Sequence, residues 1–261
     1  MLPFEDTNTL SLLFHVNSEP WGNSEAYQSP TYGVEYKQVP ACLPEVVLPP
    51  ATESPLRGLM RRRASCRAYD RKPLPLASAA ALLSGAYGIS RVDREILGGS
   101  AALLRPVPSA GGLFPLELYV ISQNVDGLPN GLHHYNVRNH SLEPLRTDFP
   151  LGKLSHSLYM FSEIKDANLV VFLVGVFERS QKKYGPRGYR YVLLEAGHVA
   201  QNLCLQAVEL GLGSLCMGGY VDSELNRALD LPTGDEGVVY SIAIGWPAPT
   251  PERSAVEPVE T

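Results

Sequence analysis

Two adjacent side chains, Lys183 and Tyr184, are candidates for proton transfer. A lysine beside a tyrosine can accept a proton when the lysine is desolvated, because burial lowers the pKa of an ammonium group. The pair lies in a basic segment, residues 182–190, that the sequence predicts to be a loop between a buried strand and a long helix. The alternative is an exposed basic loop with no chemical role.

A cluster of four arginines and a serine occupies residues 61–67. Guanidinium groups bind phosphate through paired hydrogen bonds, and the hydroxyl of Ser65 adds a further donor. The formal net charge of the chain is −5, so this concentration of positive charge differs from the overall composition. The alternative is a solvated helix end whose charges complement the helix dipole.

A segment of small residues, Pro-Ser-Ala-Gly-Gly at 108–112, leads directly into a predicted strand. Small side chains let the backbone approach a flat ligand closely. The alternative is an ordinary turn. These three segments are the candidates for chemistry in the sequence.

Other kinds of site are disfavoured. His133 and His134 are adjacent on a predicted strand and therefore point to opposite faces, so they cannot easily share a metal ion. The sequence contains no Gly-x-Ser-x-Gly and no Walker motif, and Gly211-Leu-Gly213 lacks the third glycine of a dinucleotide fingerprint. The four cysteines include no Cys-x-x-Cys pair, which predicts mostly buried free thiols.

The helices that must position these residues are visible in the apolar spacing. The longest pattern runs from Tyr189 to Leu210 with apolar residues three or four apart on both faces, so we expect this helix to be central. Gly211 is expected at its C-cap, and Asp222 is expected to cap a helix that ends at Leu229. Further helices are expected at 11–16, at 76–87, and from Pro55, with Ser54 as its cap, into 61–63.

The strands are predicted from alternation and from apolar runs. The Val-rich run 168–177 predicts a strand that is buried on both faces, and the segments on either side of 138–140 predict a β-hairpin. Other strands are expected at 116–121, 214–217 and 238–244. This mixture predicts an α+β domain with one core.

Composition and length narrow the class of protein. The 44% apolar content supports a globular core, and the acidic balance argues against a nucleic-acid partner. The longest apolar run, 169–177, is far shorter than the ~20 residues of a membrane span, and no signal peptide is recognised, so we expect a cytoplasmic location. Proline is concentrated near both ends, so we expect an N-terminal arm over 1–54, one domain over 55–247 and a tail over 248–261.

Taken in order, these motifs resemble the SagB/McbC-type dehydrogenases of the nitroreductase superfamily. Arg63-x-Ser65-x-Arg67 resembles the phosphate-binding start of that family, and 108–112 resembles its flavin-contacting loop. Gly112 stands where general nitroreductases often carry asparagine, which favours the dehydrogenase subgroup. Further similar segments are the hairpin at 131–135 (with His133 in place of the usual aromatic residue), the helix 189–203, the flavin-ring loop 217–220 and the closing strand 244–247.

The resemblance implies an α+β nitroreductase-like fold, in which helices flank a central mixed or antiparallel sheet and two copies form a domain-exchanged homodimer. It implies an enzyme that binds FMN without a metal and oxidises a thiazoline or oxazoline in a peptide or carrier-protein-bound precursor. It places the catalytic roles on Lys183 and Tyr184, and it implies a cyclodehydratase or synthetase as a partner. The implied cofactor-binding residues are Arg63, Ser65, Arg67, Pro108, Ser109, Ala110, Gly111, Gly218 and Gly219.

Two other functions fit the same resemblance. One is an NAD(P)H-dependent nitro- or quinone reductase on the same fold. The other is a flavin-binding subunit of a modification complex that does not turn over by itself. Molecular oxygen is the expected electron acceptor for the dehydrogenase, because no nicotinamide motif is visible.

Overall fold

The protein is described by a computed structural model that covers residues 9–19, 37, 43–97, 100–232 and 234–249. The strands of the described residues are Tyr69–Asp70 (β1), Arg91–Leu97 (β2), Ser100–Leu104 (β3), Leu116–Ser122 (β4), Gly131–Asn136 (β5), Ser141–Arg146 (β6), Leu169–Val176 (β7), Gly213–Met217 (β8) and Glu236–Pro247 (β9). All but β2 and β3 form one antiparallel sheet in the order β1-β9-β7-β4-β5-β6, and β8 pairs with β9 on the β1 side.

Helices flank this sheet. They are Thr9–Asn17 (α1), Pro55–Arg62 (α2), Leu76–Tyr87 (α3), Phe161–Ile164 (α4), Phe177–Tyr184 (α5), Arg187–Glu209 (α6) and Asp222–Ala228 (α7), with short 3-10 turns at Ala110–Gly112 and Leu151–Leu154. Strands β2 and β3 form a separate antiparallel hairpin. The α+β class with an antiparallel sheet flanked by helices is therefore confirmed.

Strand β7 lies at the centre of the sheet between β4 and β9. Its side chains alternate between two hydrophobic clusters, because successive residues of a strand point to opposite faces. Leu169, Val171 and Leu173 join the cluster that contains α3 and α6, and the intervening residues join a cluster that contains α7. The prediction of a single core was wrong: the sheet separates two cores, one on each face.

Helix α6 is the long central helix that the sequence predicts. It has 23 residues and, at 1.5 Å per residue, extends about 34 Å. Its N-terminus lies two residues before the predicted start, and Gly211 follows its C-cap with φ +73°, a conformation that glycine adopts easily. Helix α6 packs against α3, α5 and β8 and so connects the segments that carry the candidate site.

Several smaller predictions are confirmed. Helix α3 spans the predicted 76–87, and β5 and β6 form the predicted hairpin. Ser54 caps α2, because its hydroxyl oxygen accepts a hydrogen bond from the backbone N–H of Arg57 at 3.2 Å. The cap holds the N-terminal end of the helix whose other end carries the arginine cluster.

Other elements differ from the predictions. Residues 182–184 are not in a loop, because α5 continues through Tyr184. Asp222 lies in the first turn of α7, where Val221 is the N-cap and the backbone N–H of Ser223 donates to the Glu19 carboxylate at 3.2 Å. The hairpin of β2 and β3 was not predicted, and β9 is longer than the predicted 238–244.

The chain ends lie largely outside the described residues. Most of the predicted arm over 1–54 and most of the tail over 248–261 are in this group, as is Cys42. Helix α1 is described, and the Nδ1 atom of His15 lies 3.0 Å from the hydroxyl of Tyr189 near the start of α6. In the ranges that the structure describes, no helix is both long and apolar enough to cross a bilayer.

Candidate functional site

The loop at 108–112 and the Lys183–Tyr184 pair meet in space. Gly111 has φ +66°, which favours glycine, and a Cβ atom built on it would lie 2.6 Å from Tyr184 Oη and 2.7 Å from Lys183 Nζ. A side chain at position 111 would therefore collide with the two groups that could move a proton. The structure brings together two segments that the sequence separates by about 70 residues.

The pair is held at the C-terminal end of α5. The ring of Tyr184 stands edge-on to that of Tyr191, with 5.0 Å between ring centroids, and Lys183 Nζ is 5.3 Å from the Tyr184 ring. Tyr184 is half-buried and Lys183 is exposed. The desolvation that would prepare the lysine as a base is thus not supplied by the described residues of one chain alone.

The buried carboxyl of Glu195 is hydrogen-bonded to the 108–112 loop. Glu195 of α6 is 2% exposed and accepts a hydrogen bond from Tyr87 Oη at 2.7 Å and another from the Ser109 hydroxyl. Tyr87 Oη in turn accepts from the backbone N–H of Leu116 at 3.2 Å, and Ser109 Oγ accepts from the N–H of Phe114 at 2.9 Å. Burial raises the pKa of Glu195.

Sequence reasoning missed this role of Glu195. The signal was present, because Glu195 occupies a buried turn of α6 beside Val192 and Ala196, where a carboxyl needs hydrogen-bond partners. Its partners Tyr87 and Ser109 come from α3 and the loop, and no local pattern predicts their proximity. The network fixes the loop to the central helix.

The arginine cluster lies beside the N-terminal end of β8. Ser65 forms a parallel β-bridge with Ser214, and the N–H of Cys66 donates to the Ser214 carbonyl oxygen at 2.9 Å. Ser65 and Arg67 are exposed and Arg63 is half-buried. Arg61 is different, since it pairs with Glu53 at 2.7 Å, whereas Arg63 and Arg67 have no ion pair among the described residues.

Strand β8 connects this cluster to the glycines at 218–219. Gly218 lies four positions after Ser214, a distance of about 13 Å along a strand. Gly218 is exposed, and a Cβ built on it would have only the ring of Tyr240 nearby, at 4.0 Å. A Cβ on Gly219 would meet the Tyr159 ring at 3.2 Å.

The candidate residues thus form two groups in the chain. One group contains 108–112 with Lys183 and Tyr184, and the other contains Arg63, Ser65 and Arg67 with the 218–219 loop. In the spatial order β4-β7-β9-β8, each strand is antiparallel to the next. The N-terminal end of β4 and the C-terminal end of β8 therefore lie at the same end of the strands. The 108–112 loop and the 218–219 loop therefore lie at this same end of the sheet.

The two histidines separate as the sequence predicts. His133 is buried, and its Nε2 lies 3.0 Å from Ser122 Oγ. His134 faces the other side, within 2.9 Å of Glu117 and of Glu143, and these carboxylates raise its pKa. Among the described residues, no group of three or more His, Cys, Asp or Glu side chains is arranged to hold a metal ion.

A pair of thiols lies behind the arginine cluster. The Sγ atoms of Cys204 and Cys216 are 3.5 Å apart, and both thiols interact electrostatically with Arg63. The hydrogen bond from the Cys216 thiol lowers the pKa of Cys204. Of the three described cysteines only Cys204 is fully buried, so the prediction of mostly buried thiols was wrong for this part of the chain.

Comparison with known proteins identifies the family. A model of the nitroreductase family matches residues 60–246. The chain belongs to the nitroreductase family. A protein of Methanocaldococcus jannaschii named as a nitroreductase is 34% identical to it over 187 residues, which make up 72% of this chain and 90% of that protein.

Two further comparisons show similarity to microcin-processing proteins. The microcin B17-processing protein McbC of Escherichia coli is 32% identical over 138 residues, about half of each sequence (49% of this chain and 48% of McbC). A chain in the solved E. coli microcin synthetase McbBCD complex, with truncated pro-MccB17 bound, has the same fold, with a TM-score of 0.69, 22% identity and 92% coverage of both chains. The sequence match to McbC covers about half of each protein, and the structural match, at 22% identity, shows a shared fold.

Proposed function

We propose that this family member is an FMN-dependent dehydrogenase that oxidises a thiazoline or oxazoline ring to the corresponding azole. The observation that carries the proposal is the position of Tyr184 Oη and Lys183 Nζ beside Gly111, where they occupy the space that a side chain at 111 would need. It places a lysine and a tyrosine against the loop that resembles the family's flavin-contacting segment. An oxidation that also removes a proton needs a base beside the hydride acceptor, and either side chain could serve as that base.

The described residues fit FMN. Arg63 and Arg67 offer guanidinium groups without ion pairs, and the exposed hydroxyl of Ser65 lies between them in sequence, a donor set suited to a phosphate. Gly218 presents bare backbone, which permits close approach of a flat ring. Gly111 would meet the ring through its backbone, because Lys183 Nζ and Tyr184 Oη fill the space on its side-chain side. Pro108, Ser109, Ala110 and Gly219 would complete the surfaces on either side. FMN, when bound, supplies the acceptor for a hydride.

The reaction removes one proton and one hydride from the azoline. Lys183 or Tyr184 takes the proton from the ring carbon that corresponds to the amino-acid Cα. The hydride leaves from the adjacent ring carbon, and the electron pair of the broken Cα–H bond forms the new double bond of the aromatic ring. The chain thus contributes orientation and a base, while the cofactor carries the redox chemistry.

The relatives support a substrate class and partners. McbC is named for processing microcin B17, and the McbBCD complex was solved with a pro-peptide bound. By analogy, the substrate is an azoline in a peptide or a carrier-bound precursor, and a cyclodehydratase or synthetase supplies it. We also infer a homodimer, as the resemblance implies; a second copy that covers the exposed Lys183 would supply the desolvation that one chain lacks. Sedimentation of an active, flavin-loaded monomer would contradict this inference.

The test compares Lys183→Ala and Tyr184→Phe with Lys182→Ala. Lys182 is a matched control, since it forms an ion pair with Glu178 at 2.8 Å instead of reaching Gly111. We expect both site variants to load FMN, measured by absorption, and to lose azoline oxidation by about 100-fold or more. Full oxidation by a variant that carries both Lys183→Ala and Tyr184→Phe, with full flavin loading, would refute the roles of these residues.

The 34% match to a protein named as a nitroreductase favours one other candidate, an NAD(P)H-dependent nitro- or quinone reductase. This function predicts that NADPH bleaches the bound flavin under anaerobic conditions and that an azoline peptide does not. The proposed dehydrogenase function predicts that an azoline peptide bleaches the flavin and that NADPH does not. Activity that appears only after a cyclodehydratase or carrier protein is added would instead indicate a subunit of a modification complex.

A further inference from the structure

A cavity of about 430 Å³ lies between the β2–β3 hairpin and the 108–112 loop. Its wall contains Leu103 and Arg105 from the hairpin side, and Ser109, Gly111 and Phe114 from the loop side. Gly111 is the residue whose missing side chain leaves room for Lys183 Nζ and Tyr184 Oη. The cavity and the proposed base therefore share one residue.

Two arginines that the proposed function has not used, Arg91 and Arg105, line this cavity, and Arg105 is the one with a buried guanidinium nitrogen. Its guanidinium carbon lies 4.1 Å from the centroid of the Tyr87 ring and 4.8 Å from that of Phe114, so two aromatic rings hold the cation. Its Nη1 atom is buried and has no hydrogen-bond partner among the described residues. The nearby carboxyl of Glu195 already accepts hydrogen bonds from Tyr87 and Ser109.

A buried donor without a partner is unfavourable, and such groups in folded proteins call for an explanation. The rings on which Arg105 is stacked restrict its guanidinium, so Nη1 cannot turn to solvent without losing both contacts. An acceptor that enters the cavity and comes within hydrogen-bond distance of Nη1 would satisfy the donor. Nη1 is thus a preorganised, positively charged hydrogen-bond donor that could bind an oxygen atom.

We propose that Arg105 Nη1 binds the carbonyl oxygen attached to the azoline ring carbon that loses the proton. This inference rests on the proposed function. Removal of that proton places negative charge on the adjacent carbonyl oxygen, and a charged N–H donor at this oxygen stabilises the charge. Arg105 would then hold the carbonyl oxygen, and Lys183 with Tyr184, which also lie beside Gly111, would accept the proton.

The first test measures binding, so it does not depend on turnover. Two inert azoles are titrated into the FMN-loaded protein by calorimetry: a thiazole peptide with the ring carbonyl and the same compound with a methylene group in its place. Wild type should bind the carbonyl compound at least about tenfold more tightly, and Arg105→Met should bind the two equally. Equal binding by wild type would overturn the inference and needs no variant.

The second test separates substrate binding from cofactor binding. Arg105→Met should lower kcat/KM for an azoline peptide by about 100-fold at unchanged FMN affinity, while exposed Arg138→Met, on the β5–β6 hairpin, should behave as wild type. Loss of FMN from Arg105→Met would make Arg105 a cofactor ligand and would overturn the inference while the proposed function stands. Absence of azoline oxidation by wild type would refute the proposed function, and the binding test would still decide the role of Arg105.

Discussion

Substitution of Gly111 by alanine should damage the reaction more than the fold. The new Cβ would lie 2.6 Å from Tyr184 Oη and 2.7 Å from Lys183 Nζ. Both atoms are the far ends of flexible side chains, so they can retreat without displacing the backbone. They are also the atoms that the proposed reaction needs in place.

The neighbouring glycine provides a matched control. Gly112 has φ +65°, almost the same as the +66° of Gly111, but a Cβ built on it meets nothing within 4 Å. Both alanine variants therefore carry the same backbone strain, about 1–2 kcal/mol. Only Gly111→Ala also moves the Lys183–Tyr184 pair.

The size of the effect follows from the distances. Tyr184 Oη must retreat from 2.6 Å to an ordinary contact of at least 3.4 Å, a displacement of about 0.8 Å. A misplacement of about 1 Å at a reacting group can cost about 100-fold in rate. We therefore expect turnover of Gly111→Ala to be about 10- to 100-fold below that of Gly112→Ala.

The assay combines thermal unfolding, flavin absorption and the turnover number for azoline oxidation. The two variants should unfold at similar temperatures and carry similar amounts of FMN. The reasoning is refuted if Gly111→Ala keeps the turnover of Gly112→Ala, or if Gly112→Ala loses as much turnover as Gly111→Ala.

Three further predictions concern residues around the site. Tyr87→Phe should reduce the free energy of unfolding by about 1–3 kcal/mol in chemical denaturation, because it removes the hydroxyl that pairs with Glu195 and with a backbone N–H; an unchanged midpoint would contradict the network. Burial raises the pKa of Asp222 from 3.8 to about 6, so its ionisation opposes folding as pH rises through that interval; Asp222→Asn should therefore stabilise the protein by about 1–2 kcal/mol at pH 8 and not at pH 3, and a gain of equal size at both would contradict this. Arg63→Ala should weaken FMN binding about tenfold or more in equilibrium dialysis, and Arg61→Ala, which removes a residue paired with Glu53, should not; equal losses would remove the distinction between the two arginines.

The sequence predicts elements whose pattern is complete within a short segment. Helix α3 has an unbroken Ala- and Leu-rich run, and β7 has eight residues of mostly branched apolar type, so each is recognisable without its neighbours. Helix α5 was missed because four of its eight residues, Glu178, Arg179, Lys182 and Lys183, are charged and only Phe177 gives an apolar anchor. The β2 segment Arg-Val-Asp-Arg-Glu-Ile-Leu lacks a clean alternation, so its hairpin was missed as well.

The candidate site likewise contains residues that the sequence predicts and contacts that it does not. The segments around Arg63, Gly111 and Lys183 are recognisable because each is a compact motif in the sequence. The contacts of Glu195 and Arg105 are not, since each depends on Tyr87, a residue far away in sequence. Tertiary packing decides which buried polar group finds which partner, and no local pattern records that choice.

The most direct test of the central claim is anaerobic mixing of the FMN-loaded protein with a thiazoline peptide, followed by the visible absorption of the flavin and the mass of the peptide. Our proposal predicts that the absorption bleaches as the peptide loses two hydrogen atoms, in equal molar amounts. Flavin that stays oxidised with an unchanged peptide, while NADPH bleaches it in a parallel sample, would contradict the proposal.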